Sequence, residues 1–499
     1  MAKASTRARG AILGRAAALS LSIALPQAVA AQDASPTITA VPGKPTLLLA
    51  SYDLGDVGYQ VSESFVAGTA ASYRLPGPAS ADGVWNATAA ATAPFTTRFV
   101  VLRPTDPAKF NGTVVVEWLN VTAGQDAAAD WMVGHREMIR KGYAWVGVTA
   151  QKVGIDGGGI MGAGTALRKA DPQRYGTLSH PGDAFSYDIF SQVGRALKAP
   201  GSTLLGGLVP RRVIGIGESQ SAAFLTTYVN AVDRLARVYD GFFIHSRFGG
   251  ASALSGIPMG GATAEVPAHV RFRPDLRVPV LTLITETDLI GARLAGYHGS
   301  RRPDDKTLRV WELTGAAHAD NYMFGGAFID SGKQGSAVLA KVFQPSTKGP
   351  MGPETMALNP GMPHHYVSQA ALAALESWVR TGRAPTSAPP IILASGPGEP
   401  ALERDANGIA RGGVRTPWTD VPTIRLSGKG DPKSFIGMLA GSGVPLTHAE
   451  LAALYPGGKT EYLHRFTASL DAAIRAGHLL RDDRQEILDI AAINFDAPA

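Results

Sequence analysis

The chain contains no cysteine. That single absence removes disulfides, thiolate metal sites and a cysteine nucleophile together, so the fold must rest on its core alone. Charge is sparse, at 18% of residues, and no charge run is longer than a solvated surface carries. Basic arms, zinc-finger spacings and aromatic RNA-binding motifs are missing, so nucleic acid is not an expected partner. Past the N-terminal region no apolar run reaches membrane-spanning length, and no internal repeat is visible.

What is present is a large apolar fraction, 45% of 499 residues, ample for a sizeable core. The first residues stand apart from it. Lys3, Arg7, Arg9 and Arg15 precede a short apolar run, Ala16 to Leu25, which Pro26 breaks before the small residues Ala28-Val29-Ala30-Ala31. Charge, apolar run and small residues in that order predict a secretory signal peptide over 1–31, cleaved after Ala30 or Ala31. The run is too short for an anchoring helix, and no cysteine follows to carry a lipid. The expected location is therefore periplasmic or extracellular, without a membrane anchor. Removing residues 1–31 takes four positive charges and no negative ones, and the net charge falls from +6 to +2.

Residues 32–45 are small and polar and read as a leader. Short β-rich runs follow at Thr46–Ala50, Tyr59–Val66 and Thr96–Leu102. From Thr113 the pattern changes. Strand-like Thr113–Val116, a helix over Ala127–Lys141 and strand-like Ala144–Val148 imply a parallel crossover. A glycine-rich stretch over 151–182 includes Gly157-Gly158-Gly159-Ile160-Met161-Gly162, which matches G-x-G-x-x-G in form only. It does not lie between a strand and a helix, so it reads as loop and no dinucleotide or other cofactor is expected. A helix over Ala184–Leu197 comes next, then strands at Val213–Ile216, Gly241–His245, Val278–Thr285 and Leu308–Leu313. A helix over Val367–Val379 closes the series. Strands alternating with helices predict an α/β chain, a mainly parallel sheet with helices on both faces, over residues 40–390. Residues 391–499 read as a hairpin near Ile391–Val414 and a helical tail. This C-terminal subdomain is integral to the same domain and is expected to act as a lid over the pocket mouth; the alternative is a remote stabilising appendage.

The stretch that organises the rest is Gly217-Glu218-Ser219-Gln220-Ser221, between a buried strand and a helix. A serine on so sharp a turn has its hydroxyl exposed, and small neighbours two residues away let strand and helix approach, the logic of the G-x-S-x-G elbow. Ser221 takes the place of the last glycine. Alone, such a serine could equally be a helix cap. A serine hydroxyl needs a base, and the base needs an acid, supplied by sheets of this kind in the order serine, acid, histidine. Glu286 and Asp288 follow the strand Val278–Thr285, and His318 follows the strand Leu308–Leu313. Asp288 is the preferred acid, because it leaves from the turn beyond the strand; Glu286 is the runner-up at its edge. His298 lies too close to Asp288. His364, His365, His464 and His478 fall on or beside helices, and His245 ends a strand. For the oxyanion of an acyl-transfer intermediate, backbone N–H groups are expected at Gln220 and, by position, around Asn120 and Val121. His318-Ala319-Asp320 and the His364-His365 pair lack a spacing that completes a metal site, so none is expected.

The segments EWLNVT (117–122), VTAQKVGI (148–155), RYGTLSHPGD (174–183), GESQSA (217–222), TETDL (285–289), HAD (318–320) and GGVRTPW (412–418) span nearly the whole mature chain. In them the sequence resembles the secreted bacterial α/β-hydrolase-domain proteins assigned to carboxylic ester hydrolysis. The resemblance implies the α/β-hydrolase fold, a Ser219 nucleophile, a His318 base, a carboxylate from TETDL and a small-molecule ester substrate. It does not imply which ester. Acyl transfer or amide hydrolysis on the same residues, and a non-catalytic binding protein of the same fold, remain the alternatives. Oligomeric state is not legible.

Overall fold

The computed structural model describes residues 35–159, 162, 164–258, 265–396 and 400–496, with residues 1, 2 and 4. The predicted signal peptide lies almost wholly outside these, as do Ile160 and Met161 of the glycine-rich run. Apolar residues of alternating side-chain direction build the sheet. In β4 (Thr113–Trp118), Val114 and Val116 join one core cluster and Val115 the other. The same division separates Val213 from Ile214 and Ile216 in β6 (Arg212–Glu218), and Phe242 and Ile244 from Phe243 in β7 (Gly241–His245). A strand that is apolar on both sides must be covered on both sides. Helices α1 (Ala129–Lys141) and α5 (Met362–Thr381) cover one face, and α2 (Ser186–Lys198) and α3 (Gln220–Thr227) the other.

Among the described residues the sheet has nine strands, in the order β1-β2-β3-β5-β4-β6-β7-β8-β9. From β5 (Ala144–Val148) through β8 (Val280–Thr285) to β9 (Leu308–Leu313) all neighbours are parallel. The mainly parallel, doubly covered sheet is as predicted. At the β1 end the reading needs correction. β1 (Thr37–Val41) lies in the expected leader and pairs antiparallel with β2 (Tyr59–Arg74), Thr37 opposite Ala67. Its residues are mostly exposed, so it lacks the apolar density that marks a buried strand. β2 and β3 (Thr88–Pro104) form one long antiparallel pair, with Tyr59 opposite Pro104, where two short strands were expected. Most of the extra length, over 67–74 and 88–95, is Ala and Thr, which carry little hydrophobic signal. Thr46–Ala50 is not a strand; Leu48 makes a single bridge to Ala127.

Residues 320–362 contain a small hairpin of β10 (Ser346–Gly349) and β11 (Gly352–Leu358). The expected hairpin over Ile391–Val414 is a set of isolated bridges, Ile391 to Gly412, Leu393 to Leu402 and Arg404 to Ala410, and Val414 bridges Leu313 at the sheet edge. Beyond it the chain divides. A strap containing β12 (Ile424–Ser427) and β13 (Ser442–Pro445) reaches the carboxyl ends of β8 and β9, where the Thr287 hydroxyl donates to Gly428 O at 2.6 Å and Ala319 N–H to Leu439 O at 3.1 Å. The helices α6 (Gly458–Ala476) and α7 (Arg484–Phe495) instead place Phe466, Leu470, Ile487 and Ile490 in the core cluster that holds Trp131 and Trp378. Arg136 to Glu486 at 2.8 Å and Arg140 to Asp483 at 2.7 Å fasten this tail to α1.

Candidate active site

β6 ends at Glu218 and α3 begins at Gln220, which leaves one residue to reverse the chain. Ser219 does so at φ 59° and ψ −117°, a conformation that residues other than glycine seldom adopt. The turn closes because Gly217 has no side chain: a Cβ there would stand 2.9 Å from Leu225 Cδ1 and 3.0 Å from Ser221 Cβ. Ser221, where the elbow pattern has glycine, is small enough to be buried beneath the turn. The Ser219 N–H is held by the carbonyl of His245 on the next strand, at 3.0 Å.

The Ser219 hydroxyl lies 2.8 Å from His318 Nε2, and His318 Nδ1 lies 2.6 Å from Asp288 Oδ1. An ionised carboxylate only accepts, so the proton belongs on Nδ1 and the Ser219 hydroxyl donates to Nε2. Asp288 sits at the third position of the short helix α4 (Glu286–Ile290), where its other oxygen accepts from the Thr285 N–H at 2.8 Å and the Thr285 hydroxyl at 2.7 Å. A capping box thus fixes the acid. The loop of His318 is pinned in turn, its N–H donating to Thr287 Oγ1 at 3.2 Å, and the Phe248 ring lies over the imidazole at a centroid distance of 4.9 Å. The structure therefore brings Ser219, His318 and Asp288 into one hydrogen-bonded line. It does not bring Glu286 into it. Glu286 is turned the other way and accepts from Gly315 N–H at 2.7 Å and Gly428 N–H at 3.0 Å, joining the strap to the sheet end.

Of the expected oxyanion donors, the Gln220 N–H opens α3 and has no carbonyl four residues back to bind. Asn120 requires correction. Its N–H donates to Ala127 O at 3.0 Å, in a bridge that closes the loop after β4 on itself, and is not available to a ligand. Its side chain instead donates to Glu218, at 3.0 Å to Oε2 and 3.2 Å to the carbonyl. The Val121 N–H has no hydrogen-bond acceptor among the described residues.

Glu218, not among the residues expected at the site, also lies there. Its Oε1 lies 3.6 Å from His318 Nε2, and burial, followed by the nearby Asp130 and Asp288, holds its carboxyl well above the usual range. Its place between Gly217 and Ser219 was the available signal. His245 and His364 are buried and in contact with each other at 2.7 Å; neither lines a surface. Their spacing in sequence, on a strand end and a helix start, carried no hint of the contact. Among the described residues no group of three or more His, Asp or Glu side chains is arranged to hold a metal ion.

A serine whose hydroxyl donates to an imidazole backed by a buried carboxylate can lose its proton as it attacks an electrophilic carbon. The solved structures that this chain is similar to include a candidate dienelactone hydrolase of Klebsiella pneumoniae, with 12% identity over 53% of this chain and 92% of that one and a TM-score of 0.27. Others are acetyl xylan esterase 1 of a Thermoanaerobacterium species, with 10% identity over 56% and 84% and a TM-score of 0.27, and a candidate acetyl xylan esterase of Bacteroides fragilis, with 11% identity over 51% and 64% and a TM-score of 0.26. Likeness at that level says nothing of substrate. Among curated proteins none matches the sequence. The sequence profile of the alpha/beta hydrolase domain, by contrast, matches residues 26–489. A match of that length makes this chain a member of the α/β-hydrolase domain family.

Proposed function

We propose that the protein is an exported serine hydrolase that cleaves a carboxylic ester through an acyl-enzyme on Ser219. The observation that carries the reading is the line from Ser219 Oγ through His318 to Asp288, at 2.8 and 2.6 Å, on a strained strand-to-helix turn. His318 takes the hydroxyl proton as Oγ bonds to the ester carbon. It then passes that proton to the alkoxide oxygen as the carbon–oxygen bond breaks and the alcohol leaves. Water repeats the sequence on the acyl-enzyme and releases the acid. Asp288 holds the imidazole in the tautomer that accepts at Nε2 and stabilises the imidazolium between the two transfers. The oxyanion donors in this mechanism are the N–H groups of Gln220 and Val121, the latter replacing Asn120 because its donor is unspent. Export rests on the charged, apolar and small segments of residues 1–31.

The test is covalent labelling with a fluorophosphonate together with hydrolysis of p-nitrophenyl esters of graded chain length. Wild type should be labelled on Ser219 and turn over esters. Ser219→Ala should lose both, with kcat down by roughly three orders of magnitude or more and an unchanged melting temperature. A Ser219→Ala protein that kept more than about a tenth of its activity would remove Ser219 as nucleophile.

A further inference from the structure

Directly behind the elbow lies a second chain of hydrogen bonds that the reaction above does not use. Asp130 Oδ1 lies 2.8 Å from His245 Nδ1, His245 Nε2 lies 2.7 Å from His364 Nε2, and His364 Nδ1 lies 2.8 Å from Asp320 Oδ2. All four residues are 2% exposed or less. The site is built for them: at Gly361 a Cβ would stand 2.4 Å from the Asp320 carboxyl carbon. Each of the three contacts needs one proton. Two ionised carboxylates and two neutral imidazoles supply only two. One contact would then set lone pair against lone pair in a dry interior, which is costly.

We propose that Asp130, His245, His364 and Asp320 form a proton-sharing positioning relay, holding one proton more than two neutral imidazoles supply, that keeps the nucleophile and the base in register. The donors run one way. The Asp130 carboxylic O–H donates to His245 Nδ1, His245 Nε2–H to His364 Nε2, and His364 Nδ1–H to the Asp320 carboxylate. The surroundings favour this assignment. Neither acid that faces Asp130, Glu117 from β4, which accepts its N–H at 2.9 Å, and Glu218 from β6, gives an ionised Asp130 a positive partner, and Asp288 and His318 lie beyond His245. No lysine or arginine pairs with any member of the relay among the described residues. Burial pushes the Asp130 carboxyl up, against the opposing pull of His364, and the His245 imidazole well down, both in the direction of the neutral forms, and Asp130 Oδ2 has no donor to bind. The relay reaches the reaction through two backbones. The His245 carbonyl holds the Ser219 N–H at 3.0 Å, and Asp320 is two residues beyond His318.

The inference rests on the Ser219 hydrolase reading for its effect on rate, and its proton count can be measured apart from activity. Asparagine at 130 offers a permanent N–H where the neutral carboxyl offers its O–H. Wild type should lose kcat on an alkaline limb, with KM little moved, as the extra proton leaves. Asp130→Asn should keep kcat within about threefold at neutral pH and move that limb up by at least about one unit, whereas Asp130→Ala should lose about 10- to 100-fold at all pH values. Asparagine as slow as alanine, or an unmoved limb, would overturn the relay. In wild-type protein labelled with 15N-histidine, NMR at pH 7 should find His245 protonated on Nε2 only and His364 on Nδ1 only. A proton on His245 Nδ1 would overturn it whatever the activity. Wild type that fails to take a fluorophosphonate would count against the Ser219 reading alone, and the NMR pattern would still decide the relay.

Discussion

Replacing Glu218 by glutamine should stabilise the protein, and do so more as pH rises. Glu218 Oε2 accepts the Asn120 side-chain N–H at 3.0 Å, and Oε1 lies 3.6 Å from His318 Nε2. Burial is the largest cause of its raised pKa, so the folded protein holds the proton that the unfolded chain releases above about pH 4.3. Between that value and the folded pKa the native state binds more protons than the unfolded state, so stability falls with rising pH, by about 1.4 kcal/mol per unit. Below about pH 4 both states are protonated and the penalty is gone. Glutamine has no proton to take up. Its oxygen can accept from Asn120 as Oε2 does, and its amide stands where the carboxylic O–H stands. Urea denaturation followed by tryptophan fluorescence at pH 5, 6 and 7 should show the gap between variant and wild type widening by about 1.4 kcal/mol per unit until the folded pKa is reached. A neutral Glu218 puts no charge beside His318, so the acid limb of kcat/KM should stay where it is. A stability gap that is flat with pH, or an acid limb that moves down by about one unit in Glu218→Gln, would mean that the carboxylate is ionised in the fold and would refute the reasoning.

The two candidate acids separate cleanly. Asp288→Asn should cut kcat by roughly three to four orders of magnitude with KM little changed. Glu286→Gln should lower stability, through the Gly315, Gly428 and Arg404 contacts, more than rate; steady-state kinetics with melting curves would reverse the assignment if the effects were exchanged. Truncation after Pro445 should yield insoluble or unfolded protein, because α6 and α7 share a core with Trp131 and Trp378; a soluble truncated protein with faster turnover of long esters would instead mark that tail as a lid. Mass spectrometry of protein recovered from the periplasm or medium should find an N-terminus at Ala31 or Gln32, and an intact Met1 there would remove the signal peptide.

Much of the sheet could be read from the chain because its signal is local. Buried parallel strands such as Ala144–Val148 and Gly241–His245 are short apolar runs between breakers, and the structure places them at those residues. The elbow was legible for the same reason, since a strand, one reversing residue and a helix are neighbours in sequence. β1 and the outer half of the β2–β3 pair were not, because β1 is five mostly exposed residues at the sheet edge and the outer half is rich in Ala, so neither shows the apolar density of a buried strand and each depends on its partner for hydrogen bonds. The choice between Asp288 and Glu286 was argued from the strand end, yet what puts Asp288 on His318 is a capping box with Thr285, while Glu286 is claimed by a strap some 140 residues later. Asn120 shows the converse. Its place after β4 was legible, but its N–H had already been spent on Ala127, and no periodicity reports which donor a loop leaves free. The Asp130–His245–His364–Asp320 relay was decided by tertiary structure alone. Its members are spread over 235 positions, and a proton shared between buried groups has no existence until four separate elements have excluded water around it.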